Sequence, residues 1–565
     1  MDSAVIERNE TSSNKESFKD VDMIDVSNDE FYKNINTPEK IVTSSFEFFL
    51  KNSKPSAKID RKTFSEWNFV KDLEERMGIK LESEETLSKI PFLGSVLHDL
   101  KRGRLVKFNC MIQNILENQL YLALGKDKSH NDKFVINKYL EYENNSMVVE
   151  EDDLFGENYR DDDMSGNILM DRLSLNCVCI PGLSPVLLKK FEISEEILKT
   201  LLSKKIIVYD YENTQFKVNQ EICVIGLAYE IENTIVIHSW KIIQNYFKFQ
   251  NTQNSSNSLA NFNFVSARNL VQDYLKIILN GDELLAEYLN LFLVSQIFYR
   301  LDTKLIGKVL INIINHKENI CDYFPALKNF ISLITNFSKT YDIKIDTLNK
   351  NYLYPRFDVN TEELIQGEFQ TVDHTFILLD ERNLKEGKLN ENGCKNFSTI
   401  KCLIDFQSMN YYYPYNTIEI HHDSQILTVT DVCKSMFNSP ELMEIPFVIS
   451  NEYNAENHKK NVEKYFSIIN ERDLEIMRRY LELCRYSEEF VKNFKIDEQV
   501  CKSIQNDFVD RKDENFSADD LDFCMKIARL YAISKGRSQL TLEDYTFATD
   551  SEIKRKNRLS CLKKK

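Results

Sequence analysis

The sequence predicts a multidomain protein of mixed α+β and α/β class: a small β-barrel region, an α/β domain on a largely parallel sheet, and a C-terminal helical module. Three observations predict it. Short strand-like runs separated by turn residues crowd residues 104–248. Beyond an Asn/Ser-rich stretch, helical runs alternate with short apolar runs, the texture of a parallel sheet covered on both faces. From residue 456 onward helix-start signals and helical periodicity take over. A length of 565 residues accommodates these parts, at about 100–200 residues per domain.

Residues 1–40 are rich in Asp, Glu, Ser, Asn and Lys with little apolar periodicity, and are expected to be a disordered acidic N-terminus. Residues 41–103 form a helical segment, with helices expected at Thr43–Leu50 and Trp67–Met77. In 104–248, an OB-type barrel being one option, Leu105, Phe108, Cys110 and Ile112 give one strand and Leu120, Leu122 and Leu124 a second, joined at Glu117-Asn118. Further strands are expected at Ser174–Ile180, Lys205–Asp210, Glu221–Ala228 and Thr234–His238. An insertion at 141–168 interrupts them: between Glu141 and Asp163 ten acids face one base, Arg160. Such a run repels itself open as a solvated loop, which is the reading favoured over the functional alternative, an acidic segment that docks a basic partner surface.

Residues 249–264 are an Asn/Ser-rich linker that cannot bury surface. In the α/β domain, 265–455, helices are expected at Leu284–Arg300 and Phe324–Ser338, and strands at Lys308–Ile314, Tyr341–Leu348, His374–Leu379 and Gln425–Thr430. In the C-terminal module, 456–565, Glu471–Cys484 has a helical apolar stripe, and Ser517-Ala518-Asp519-Asp520 opens a helix that Gly536 stops. Thr541-Leu542-Glu543-Asp544 repeats the start signal, and the chain ends in a basic tail.

Charge and cysteine usage exclude several classes. Lys+Arg number 72 against 88 Asp+Glu, a net charge of −16. A general grip on nucleic acid through the overall field is therefore not expected, since phosphate binding needs clustered positive charge. Twelve cysteines are scattered, and Cys177 and Cys179 alone lie close, on one strand face without a metal-ligand partner pair. A reducing, intracellular compartment is the expectation, with no metal, no cofactor and no membrane partner. The most apolar stretch, Leu284–Tyr299, contains Glu287, Asn290 and Gln296, and falls short of the roughly 20 residues of a span.

The strongest chemical pattern is Phe376-Ile377-Leu378-Leu379 running into Asp380-Glu381. A buried strand ending in two carboxylates is what a Walker-B element uses to hold Mg²⁺ and orient water. Many strands end in an acidic turn, so pattern frequency favours a structural role. Hydrolysis also needs a glycine-rich phosphate loop, G-x-x-x-x-G-K-[ST], after a strand. The nearest segment, Asp302 to Val309, has Asp at the first glycine position, Val at the hydroxyl position, and precedes a strand. After Ile314 the chain reads Asn315-His316-Lys317-Glu318-Asn319, without glycine. No catalytic residue is assigned. His421-His422-Asp423 point to alternate faces of an extended chain and chelate poorly. Tyr411-Tyr412-Tyr413-Pro414-Tyr415 reads as turn, core packing or a partner-facing patch. Lys554, Arg555, Lys556 and Arg558 form a dense basic cluster, read evenly as a solvated helix end or a nuclear import signal.

Taken in order, separated segments from about Ser44 to Arg558 resemble the minichromosome maintenance (MCM) complex-binding protein family. Leu105–Gln113 is similar to its "LVKFRCMIQD" strand, Cys179–Gly182 to its "VPVPGE" turn, and Phe216–Asn219 with Ile225-Gly226 to "FKVND…YG". Ala286–Leu289 through Arg300 and Leu305–Lys308 resemble "AEYLLLHLISTVYTR…LPLGK", and Leu379–Glu381 with Glu386–Leu389 resemble "IDETLLEQGQL". Asp507–Val509, Phe516–Leu521 and Ala528-Arg529 are similar to "DDFVEMRK…ITADDLH…AR".

The resemblance implies a degenerate relative of the MCM helicase subunits: an OB-like part, an AAA+-like core without a phosphate loop, and a helical lid. It implies a non-enzymatic factor that binds MCM subunits in an assembly lacking the second subunit, reaches chromatin through MCM, and acts in the nucleus. Its roles would be MCM removal from chromatin or support of MCM assembly, DNA replication and sister-chromatid cohesion. The alternative is a residual nucleotide-binding AAA+-type protein using Asp380 and Glu381. Single-stranded DNA binding by the barrel ranks last, because no basic, aromatic groove is evident.

Overall fold

A computed structural model of the chain describes residues 5–7, 37–52, 61–126, 133–141, 168–212, 214–247, 262–301, 304–315, 322–432, 434–448, 455–511 and 516–563. The acidic insertion and Asn/Ser linker lie almost wholly outside the described residues, as do most of the N-terminal stretch and the last two lysines. The chain divides into two units, one of 1–180 with 189–246 and one of 181–188 with 247–565.

The first unit is built on a closed ring of five strands: β1 (Arg104–Ile115), β2 (Ile168–Cys179), β3 (Lys205–Asp210), β4 (Glu221–Ile231) and β5 (Thr234–Gln244). β1 pairs antiparallel with β2 and β4, β2 with β3, and β4 with β5, while the parallel β3–β5 pair closes the ring. Alternation explains the closure. Val106, Phe108, Cys110 and Ile112 of β1 point inward to Leu175, Cys177 and Cys179 of β2, Ile206 and Val208 of β3, and Ile235 and Ile237 of β5. Cys177 and Cys179 thus share the interior face, as their spacing predicts. At the β4–β5 irregularity a Cβ on Gly226 would stand 2.3 Å from the His238 carbonyl oxygen, so only glycine lets the strands approach there. The expected second strand forms (Gln119–Lys126), but it pairs with β2 and with Lys133–Ile136 rather than with β1. Within the stretch expected to lack structure, Val5–Glu7 pairs antiparallel with Lys133–Ile136. The N-terminal helices (Pro38–Asn52 and Phe69–Met77 among them) bury Phe46, Phe64, Trp67 and Phe69 with Tyr139 and Trp240.

The second unit centres on a five-stranded, all-parallel sheet of β6 (Leu310–Ile314), β7 (Ser338–Asp342), β8 (Thr375–Asp380), β9 (Ser424–Thr430) and β10 (Leu442–Pro446), in the order β7-β8-β9-β6-β10. Every residue of β6, β8 and β9 is buried, as a sheet covered on both faces requires. Helices α1 (Glu283–Val294), α2 (Phe324–Ile334), α3 (Glu391–Phe406), α4 (Glu471–Tyr486), α5 (Ala518–Ser534) and α6 (Leu542–Lys563) belong to this unit. α1 stops at Val294, not Arg300, because Ser295 caps it through backbone and hydroxyl bonds to Phe292. The strand expected at Tyr341–Leu348 ends at Asp342, and Ile345–Lys350 is helical. A second sheet of two hairpins, Arg356–Asp358 with Glu363–Ile365 and Ser408–Tyr412 with Thr417–His421, was not anticipated from the sequence.

The capping box at Ser517 forms as expected: Ser517 Oγ accepts from Asp520 N at 3.1 Å, and Asp520 accepts from Ser517 N at 3.0 Å. Thr541 and Asp544 make the same reciprocal pair at the start of α6, and Gly536, at φ +75°, follows the end of α5. Among the described residues, no helix is long and apolar enough to cross a membrane.

Candidate functional site

The first site to test is the carboxyl edge of the parallel sheet, where open α/β sheets bind ligands at the point where strand order reverses. Here that point is β6, flanked by β9 and β10. β8 delivers Asp380 and Glu381 to this edge, both nearly buried at 7% and 6% exposure. Their carboxylates are already engaged. Asp380 accepts from Arg382 Nε and Nη2, each at 2.9 Å, and from the Arg382 backbone N at 3.1 Å. Arg382 Nη1 donates to Asp322 at 2.8 Å, and its guanidinium lies over the Phe324 ring at 4.9 Å. Hydrogen bonding to Asp380 holds Arg382 firmly charged. Glu381 accepts from Ser435 Oγ at 2.6 Å and Met436 N at 2.7 Å. Burial still pushes its carboxyl above the ordinary value, those two bonds opposing the shift.

This arrangement is an ion-paired staple between the end of β8, the start of α2 and the 435–436 turn. A Walker-B aspartate keeps its oxygens for metal and water; Asp380 gives both to a guanidinium fork. Arg382, Asp322 and Ser435 are residues that the sequence reading missed. The one available signal was the basic residue directly after Asp-Glu, since strand patterns do not encode charge pairing.

The segment nearest to a phosphate loop also has a structural explanation. Lys308 is buried at 4% exposure and donates to the Ile404 and Asp405 carbonyls at 2.8 and 3.1 Å, near the C-terminal end of α3, with Glu441 at 3.1 Å. It lies before β6, whereas a phosphate loop follows its strand. After β6, Asn315 donates to Asp431 at 3.3 Å, and 316–321 lie outside the described residues. Among the described residues, no group of three or more His, Cys, Asp or Glu is placed to hold a metal ion.

His421 and His422 do point apart. His421 is exposed, while His422 is fully buried with Thr371 Oγ1 at 3.1 Å and Asp373 at 3.4 Å. Asp423 pairs with Arg300. In the tyrosine run Tyr411 is buried and Tyr415, at the hairpin tip, is fully exposed.

Of the basic cluster, Lys554 is exposed on α6. Arg555 forks onto Glu552 at 2.7 and 2.8 Å and donates to the Glu444 carbonyl at 2.8 Å. Lys556 pairs with Asp520 at 2.7 Å. Arg558 Nη1 reaches both oxygens of Asp282 at 2.8 Å, and Asp282 itself accepts from Leu285 N at the start of α1. These contacts fasten α6 to β10, α5 and α1.

Comparison with known proteins adds what geometry alone does not. Sequences named mini-chromosome maintenance complex-binding protein match this chain from animals and plants: 29% identity over 292 residues in Drosophila melanogaster, covering 51% of this chain and 47% of that one. The counterpart in Arabidopsis thaliana is 26% identical over 299 residues, covering 52% and 48%, and that in Homo sapiens 26% over 282, covering 49% and 42%. The matched stretch spans about half of this chain and less than half the length of each of these relatives. The family model described as mini-chromosome maintenance replisome factor covers residues 78–205 and 232–559, taking in most of the barrel, the parallel sheet and the C-terminal helices. With both units matched, the chain belongs to the mini-chromosome maintenance replisome factor family.

Proposed function

We propose that this chain is a non-enzymatic replication factor that binds MCM helicase subunits as a subunit-like but hydrolysis-incompetent partner. The observation that carries the reading is the engagement of Asp380 and Glu381 by Arg382, Ser435 and Met436, in a chain of this family. A sheet whose would-be catalytic carboxylates act as staples can present a subunit-like surface without driving a nucleotide cycle. Two topologies support the architecture behind it. The ring order β1-β2-β3-β5-β4 fits an OB-like barrel, and the order β10-β6-β9-β8-β7 fits an AAA+-like core followed by a helical lid.

On this reading the chain takes the place of the second MCM subunit, promotes MCM removal from chromatin or supports MCM assembly, and thereby contributes to replication and sister-chromatid cohesion. Its net charge of −16 favours basic MCM surface over DNA, so association weakens with salt. It acts in the nucleus. Lys554 and Lys556 are the exposed members of the basic cluster, and Arg555, Lys556 and Arg558 are ion-paired, so a nuclear address rests more on the partner than on that cluster.

Size-exclusion chromatography with a reconstituted MCM hexamer, with and without ATP, tests the proposal. Co-elution with a subset depleted of the second subunit supports it. An intact hexamer beside a free 66 kDa peak refutes it.

A further inference from the structure

The hairpin sheet of the second unit ends in a strand with one side unpaired. Its order is Glu363–Ile365, Arg356–Asp358, Ser408–Tyr412, Thr417–His421, so Thr417–His421 forms an edge. Flanking bonds fix which backbone groups face outward. Tyr413 N donates to the Asn416 carbonyl at 2.8 Å and His422 N to the Gln407 carbonyl at 2.9 Å, with one continuous antiparallel register between them. Hydrogen-bonded pairs recur at every second residue, so Ile418 and Ile420 bond inward to Tyr411 and Met409. Thr417, Glu419 and His421 then turn their N–H and C=O groups away from the sheet. Among the described residues these groups have no partner.

The side chains alternate with the backbone. Ile418, 44% exposed, and half-buried Ile420 lie opposite Tyr411 and Met409 and carry the face of those two buried side chains past its cover. Thr417, Glu419 and His421 are exposed on the other face. Lys, Pro and bulges blunt natural edges; this strand has no Lys or Pro, and its register has no bulge. Its one carboxylate, Glu419, makes no hydrogen bond or ion pair among the described residues.

We propose that this edge accepts an extended segment of a partner protein as a fifth strand, with apolar residues opposite Ile418 and Ile420 and a Lys or Arg opposite Glu419. Outward N–H and C=O groups at alternate residues select a strand rather than a helix. Residues directly opposite share a face, so the apolar-basic-apolar pattern follows in either strand direction. A second copy of this chain fits less well. The antiparallel register that pairs all three outward residues sets Glu419 against Glu419, and like charges directly opposite are destabilising. Such pairing does not require MCM binding.

The test uses the full chain and the fluorescein-labelled peptide Gly-Ser-Thr-Val-Lys-Val-Thr-Ser-Gly, with Glu in place of Lys as the control. Anisotropy is read at about 0.15 M salt, where fields beyond about 8 Å are screened. Saturable binding of the Lys peptide, about fivefold tighter than the Glu peptide, is the expected result. E419K should abolish or reverse that preference. E419P should remove binding with the thermal midpoint near that of wild type, because Pro at a residue whose N–H faces outward leaves the hairpin bonds intact. Should E419P not fold, E419K, which keeps that N–H, decides. Absence of saturable binding, a preference that E419K leaves unchanged, or binding that survives E419P overturns the assignment. So does slow amide exchange at Thr417, Glu419 and His421 in the free chain, which would show the edge already covered. A dimer of the chain that E419P converts to monomer would give the edge to a second copy and overturn it as well.

Discussion

Arg382 holds Asp380 in a two-pronged grip, Nε and Nη2 each 2.9 Å from a different carboxylate oxygen. The pair is partly shielded, with side-chain exposures of 18% and 11%. Removing the cation leaves Asp380 with the Arg382 backbone N–H and little water. R382M should therefore lower unfolding stability by about 2–4 kcal/mol, read by urea denaturation. D380N/R382M together should recover part of that loss, since the double change removes the stranded charge. A single variant as stable as wild type would show that the grip is not a staple.

Lys138 offers a pH test in the first unit. It is 5% exposed, donates to the Trp67 carbonyl at 3.3 Å, and sits among Phe64, Trp67 and Tyr139. Burial lowers its pKa to about 8 from an ordinary value of 10.5, Glu212 opposing weakly. Between those two values the unfolded chain binds more protons than the folded one, so this group adds stability as pH rises. Wild type should gain on K138M between pH 8 and 10, measured as the difference in urea midpoints. A difference that stays flat would place the ammonium in water.

The barrel and the parallel sheet were legible because their signals are periodic. Val106, Phe108, Cys110 and Ile112 alternate along β1, and the unbroken apolar run into Asp380 is a strand buried on both faces. Where local periods conflict with packing, the sequence misled. Tyr341, Ile343 and Ile345 alternate like a strand, yet the chain turns helical at Ile345 and buries Leu348. The hairpin carrying Tyr411–Tyr415 escaped notice because a run of tyrosines has no period of its own. The grip on Asp380 was illegible for another reason: whether a carboxylate faces a metal or a guanidinium depends on where Asp322, Arg382 and Ser435 converge in space.

Helix starts in the C-terminal module carry measurable energy. S517A removes the oxygen that accepts from Asp520 N, and T541A the one that accepts from Asp544 N. Each should cost about 1 kcal/mol. Acting at the starts of different helices, the two losses should sum in the double variant. Urea midpoints of the two single variants and the double variant decide this.

Two glycines separate steric from conformational cost. Gly78 has φ +64° and open space around a would-be Cβ, so G78A should cost about 1 kcal/mol. At Gly226 the same methyl group would sit 2.3 Å from the His238 carbonyl oxygen, inside a closed barrel that cannot spread at one point. G226A should therefore be several times more damaging, seen as loss of soluble protein or a sharply lowered thermal midpoint. Equal effects would mean that the β4–β5 pair relaxes freely.

The basic cluster of α6 makes the last distinction. Arg558 compensates Asp282, whose side chain is fully buried where it caps α1, so R558A strands a carboxylate and should cost about 3 kcal/mol or more. Lys554 is exposed, and K554A should leave stability within about 0.5 kcal/mol of wild type. If the cluster is an import address, K554A with K556A should redistribute the protein from the nucleus while its urea midpoint falls only slightly. If it is a clamp, nuclear placement should survive that pair of changes, and R558A should lower abundance everywhere without changing the nuclear fraction. Fluorescence imaging of tagged variants, set beside their urea midpoints, separates the two.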